Sequence, residues 1–185
     1  MIQVELLIPT AQPLHAWRVF SVGVDGDQIR LFPTASTPNS LRPWQAEERA
    51  TCSSHQAAPA ADCRCGLYGV TGDLQEALAG YKDRRSSHTL VFAEIALSGR
   101  AFVDFRAVRA EQARVLQIVV PEKLLITGFE LGEPERMLTD YYGATIVGVE
   151  ALPEWVTVWR YYDHGRPLPE WVDGLAVPGA PVVEL

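Results

Sequence analysis

All three cysteines of this chain, and one of its four histidines, fall within fourteen residues: Cys52-Ser-Ser-His55, seven residues, then Cys63-Arg-Cys65-Gly66. No other feature limits the fold so tightly, because thiolate and imidazole are the donors zinc prefers and four of them fill a tetrahedral shell. A Cys3His shell is closed. It leaves no position for an activated water, which points to a structural rather than a hydrolytic site. Two residues between Cys52 and His55 let one tight turn present both ligands, and Gly66 permits a positive φ just after Cys65. The Cys-x-Cys half is less usual than Cys-x2-Cys. An odd cysteine count also rules out a complete disulfide framework and favours metal or thiol chemistry in a reducing compartment.

Other readings of the same residues exist. Cys63 and Cys65 could be small buried hydrophobes with His55 on a surface loop. Three thiolates and an imidazole could instead ligate a [2Fe–2S] cluster. A catalytic thiol at Cys52 or Cys65 with His55 as base is the weakest, since Cys and His adjacent in sequence rarely reach the geometry of a nucleophile and its base. Zinc explains more than these. Residues 33–61 dissolve into Pro, Ser, Thr, Ala and Asn with Trp44 as the one large aromatic, and so long an irregular stretch inside a compact domain needs a fastener. A zinc-binding loop is therefore expected at residues 45–70.

The chain has 185 residues, 48% of them hydrophobic and 21% charged, enough for one core without disulfides. Its net charge of −7 disfavours nucleic acid and anionic membrane surfaces as partners. Residues 1–10 carry Glu5 and Pro9 and lack both a basic n-region and a cleavage site, so no signal peptide is expected. No run of eighteen apolar residues occurs. The expected location is cytoplasmic.

Strands are expected over 3–8, 17–24 and 28–32, the last two joined by a turn at Asp25-Gly26. Further strands fall at 90–97 and 100–105 around Ser98-Gly99, at 113–120 and at 144–149. One short helix is expected to start at Asp73, with Leu74, Ala77, Leu78 and Tyr81 on one face. A second opens at Glu133-Pro134 and ends at Gly143. The resulting expectation is an α+β fold: a mostly antiparallel sheet or small barrel, two short helices and the zinc-fastened loop. Residues 1–150 form one domain, and 151–185 an aromatic, Pro-rich tail that packs on the domain or on a partner. That tail repeats Leu152-Pro-Glu-Trp-Val156 at Leu168-Pro-Glu-Trp-Val172. Trp155, Trp159 and Trp171 are candidate contacts for a protein partner or a second copy of the chain, since Trp is enriched at binding hot spots.

Arg100, Arg106, Arg109 and Arg114 are candidate nucleic-acid contacts, a basic stripe along a strand pair with Phe102 and Phe105 nearby for stacking. The simpler reading makes them outward polar positions of half-buried strands. Lys82-Asp-Arg-Arg85 reads as a solvated helix end, and His15, His88 and His164 stand in no constellation. The sequence shows no phosphate-cradling glycine loop, nucleophile elbow or paired-carboxylate motif, so an enzyme reading lacks a motif.

The stretch Cys52-Ser-Ser-His55, Pro59, Cys63-Arg-Cys65-Gly-Leu-Tyr68, together with Gly99-Arg100, resembles a family of small actinobacterial proteins. These carry Cys, His and Pro followed by Cys-x-Cys-Gly-Ile-Tyr-Ala, and a later Gly-Arg-Val strand pair. The likeness covers about residues 15 to 150, and its specific part is the ligand block, where Leu67 and Gly69 replace Ile and Ala. The family has no assigned activity, so the resemblance implies the site and no reaction. The sequence thus favours a non-enzymatic binding or adaptor module with structural zinc. A nucleic-acid-binding barrel and a [2Fe–2S] redox protein are the alternatives.

Overall fold

The computed structural model describes residues 4–34, 42–72, 74, 90–104, 107–120, 124, 126 and 128–148. The strands among them are β1 (Val4–Ile8), β2 (Leu14–Asp25), β3 (Gln28–Pro33), β4 (Glu47–Arg49), β5 (Leu67–Val70), β6 (Leu90–Asp104), β7 (Ala107–Val119) and β8 (Thr145–Val147). They form one sheet, antiparallel throughout except for the parallel pair β7–β8. One helix, α1 (Glu133–Tyr142), lies among the described residues. Two were expected; the one at residues 73–81 falls outside the described residues apart from Leu74, as does the tail at 151–185 with Trp155, Trp159 and Trp171.

The sheet is built around β6, which pairs with β1, β2 and β7. Because side chains alternate across a strand, Val91, Ala93, Ile95 and Leu97 enter the main core while Leu90 and Phe92 join Val19 and Val119 in a second cluster. Both faces of β6 are therefore covered. Each fully buried Leu, Ile or Val contributes about 1.5–3 kcal/mol relative to an exposed one, so β6 is the strand the core depends on most.

The pairings run β6–β2–β5–β7 and return to β6, but the β2–β5 link is the single pair Trp17–Val70. A one-pair closure makes a curled sheet, not the small barrel that was the other expectation. Gly69 permits even that contact: a Cβ there would stand 2.7 Å from the Cβ of Ala16. A further difference lies at Ser98-Gly99, expected as a turn between two strands. There β6 runs straight through, with a register shift between Ser98 and Ala101 and Gly99 at φ 78. Glycine supplies the positive φ of a bulge as readily as that of a turn, and the two are alike in sequence.

The helix α1 agrees with its signals. Pro134 sits in the first turn with Glu133 and Glu135, and Gly143, at φ 62, donates its N–H to the Thr139 carbonyl. Its buried Tyr142 hydroxyl accepts from the Leu31 N–H at 3.0 Å and donates to the Trp44 carbonyl at 2.9 Å. Burial pushes this phenol up from its ordinary pKa, so it stays a donor. Trp44 itself is 3% exposed and meets Phe20 edge to face, with the Arg18 guanidinium over its ring. The irregular segment that follows β3 is thus held in the core by its one large aromatic. No helix among the described residues is long and apolar enough to cross a membrane.

Candidate metal centre

Between β4 and β5 the chain makes a loop that carries the four expected ligands. Ala50 N–H donates to the Glu111 carbonyl at its start, and the loop returns to the sheet at Leu67, opposite Ala110 of β7. Gly66 takes φ 130 at the return, and a Cβ there would lie 3.1 Å from the Cβ atoms of both Arg109 and Pro59. A side chain at this position would have to press both neighbours aside by a few tenths of an ångström and would be strained at this φ. The glycine in the motif is thus required by backbone shape as well as by crowding.

The sulfurs of Cys52, Cys63 and Cys65 and a ring nitrogen of His55 all lie within 4.8 Å of one another, and all four residues are half-buried. Metal–sulfur bonds of about 2.3 Å in a tetrahedron imply a sulfur–sulfur edge of about 3.8 Å. The distance from Cys52 Sγ to Cys63 Sγ is 3.7 Å, and from Cys52 Sγ to His55 Nδ1 it is 3.2 Å. The donors therefore fit a single tetrahedral ion after a closure of about 1 Å in the widest pair. The cluster could hold a metal such as zinc.

The imidazole is already oriented for this. With Nδ1 toward Cys52, His55 Nε2 lies 3.2 Å from Asp62 Oδ1. A ligating histidine that donates its other N–H to a carboxylate is fixed in ring angle and tautomer. Asp62, one residue before Cys63, escaped the sequence reading; its signal was only an acid beside a candidate ligand.

Without metal the donors polarise one another. The hydrogen bond from His55 lowers the Cys52 thiol from 9.0 to about 6, while the same bond raises His55 above its ordinary 6.5. Cys52 is thereby drawn toward the thiolate and His55 toward the imidazolium. Burial, by contrast, pushes Cys65 up to about 11. A metal must displace the proton of Cys65 and compete with protons for His55 to bind here, which ties affinity to pH.

The four arginines expected as a stripe are placed quite differently from one another. Arg114 is exposed and Arg100 half-buried, and Arg106 lies outside the described residues. Arg109 is 5% exposed and turned into the loop, where Nη1 donates to the carbonyls of Ala60 at 2.8 Å, Cys65 at 3.2 Å and Cys63, and Nη2 to Ala61 at 3.5 Å. Its guanidinium also covers the Phe102 ring, 4.6 Å from the centroid. Tertiary position, some 44 residues from Cys65, decides this, and no local pattern in the sequence announces it.

A cavity of about 500 Å³ opens between the loop and the sheet. Asp62 and Arg64 line it from the loop, and Tyr68, Phe102 and Asp104 from the strands. Comparison of the chain with family models, with curated proteins and with solved structures finds no match.

Proposed function

We propose that the protein is a non-enzymatic binding or adaptor module in which structural zinc, held by Cys52, His55, Cys63 and Cys65, fixes a recognition surface. The observation that carries this reading is the convergence of four soft donors within 4.8 Å. Such a shell suits one tetrahedral ion and leaves no open coordination position for chemistry. It also favours zinc over a [2Fe–2S] cluster, whose two irons would need their ligand pairs set apart at opposite ends of the cluster. The cavity beside the loop supports the binding role, because Asp62 and Arg64 of the ligand loop line it together with Tyr68, Phe102 and Asp104 of the sheet. A nucleic-acid role gains no such support: Arg109 is committed to the loop carbonyls, and the net charge is −7. A protein partner or a second copy of the chain is the proposed occupant, in a cytoplasmic setting that keeps the thiols reduced.

The test is elemental analysis of protein purified without chelators or nickel. One zinc per colourless chain is expected, and Cys63→Ser should lower both metal content and the melting temperature, since ligand loss removes part of the folding free energy. Iron with visible absorption would select the cluster instead. Metal-free protein, or a Cys63→Ser variant with unchanged metal content and melting, would remove the zinc reading altogether.

A further inference from the structure

We infer that Arg109 is the positioning residue of the metal centre: from the sheet side it fixes the backbone that carries Cys63 and Cys65, and it offsets the charge of the loaded site. The inference rests on the metal reading above and goes one step past it, to a residue outside the ligand set.

The geometry is specific. Of the four carbonyls that Arg109 collects, two belong to the ligands Cys63 and Cys65 themselves, and two to Ala60 and Ala61 just before them. The Ala60 carbonyl is held by Arg109. The Ala60 carbonyl also receives the Cys63 N–H at 3.2 Å. One guanidinium thus orients the peptide groups around two of the four ligands. Arginine suits the task because its planar fork offers five donors in fixed directions, whereas an ammonium offers three around a point. The Phe102 ring behind it sets the plane of the fork, and burial at 5% exposure leaves the side chain little freedom.

Charge points the same way. Three thiolates and a divalent ion sum to −1, and Arg109 contributes +1 against the backbone carbonyls of Cys63 and Cys65. At a half-buried site this attraction is weakly screened. Arg109 therefore raises metal affinity as well as holding the loop in place.

The experiment uses the full chain as wild type, Arg109→Gln and Arg109→Lys. Zn²⁺ affinity is measured by competition with a chromophoric chelator, and Co²⁺ is added as a spectroscopic probe of tetrahedral thiolate coordination. Arg109→Gln should bind zinc about 10–100-fold more weakly, the range found when an outer-shell partner of a metal ligand is lost. Arg109→Lys, which keeps the charge and loses the fork, should fall between it and wild type, and both should shift the Co²⁺ visible bands. Melting measured with and without zinc separates this role from simple bracing, because Arg109→Gln should cost more in the loaded protein than in the metal-free one. Should Arg109→Gln fail to fold, Arg109→Lys carries the test alone. Wild-type zinc affinity and an unshifted Co²⁺ spectrum in the variants would overturn the inference, and so would equal destabilisation with and without metal. Wild-type protein that binds no metal is a separate result, which sinks the zinc reading itself.

Discussion

Two halves of one irregular segment are held to the same sheet by different physics. Residues 42–49 are anchored by burial: Trp44 lies in the core against Phe20, Tyr142 grips its carbonyl, and Glu48, 3% exposed, accepts a forked pair from Arg42 and the Gln45 N–H. Residues 52–66 bury little beyond Ala58 and Pro59 and are tied by polar links, namely the four candidate ligands, Asp62 and Arg109. The first half carries its stability in the folded chain alone. The second is tied through polar groups that converge on a possible metal site, so on the proposed zinc reading one segment is permanent and the other conditional on the ion.

The largest expected effect breaks the permanent half. Trp44→Ala should destabilise the fold by about 3–5 kcal/mol, the usual cost of emptying a buried aromatic site, and by the same amount with and without metal. Chemical denaturation of both forms checks this, and a loss seen only in the loaded form would erase the distinction between the halves.

Asp62→Ala addresses the conditional half. It should weaken metal binding by about tenfold, the low end of the range for outer-shell partners, because the Asp62 carboxylate is 81% exposed and well screened. Stability of the metal-free protein should not change. Competition titration and melting give the two numbers, and an effect of the reverse pattern would assign Asp62 to the fold rather than to His55.

The smallest effect sharpens the picture within the site. In metal-free protein, Cys52 should react with iodoacetamide as a thiolate above about pH 6 and lose reactivity as the pH falls through that value, whereas Cys65 should stay inert until about pH 11. Peptide mapping after alkylation at stepped pH resolves the two. Equal profiles for both thiols would mean that the Cys52–His55 pairing does not persist without metal.

Much of the permanent structure was legible in sequence, because period-two patterns and helix caps are local signals. The Asp25-Gly26 turn, the strand expected at 28–32 and found at Gln28–Pro33, and the cap at Gly143 follow from residues within a few positions of each other. The Cys52, His55, Cys63 and Cys65 cluster was legible for a different reason: few residue types can serve, and all three cysteines with one of the four histidines lie together. What sequence hid was tertiary. β4 and β5, three and four residues long, are too short to show a period, and they are strands because β7 offers them an edge. Ser98-Gly99 carries the same signal for bulge and turn. Arg109 looks like any outward strand arginine until Gly66 and Pro59 bring the loop back over it.

The loop does not simply end where the sheet resumes. Only Gly66 separates Cys65 from Leu67, the first residue of β5, and β5 is the strand whose last residue, Val70, completes the circuit by meeting Trp17. The candidate ligand Cys65 and the one-pair seam of the sheet are therefore joined by a single short stretch of backbone, so a variant that loosens either end should be felt at the other.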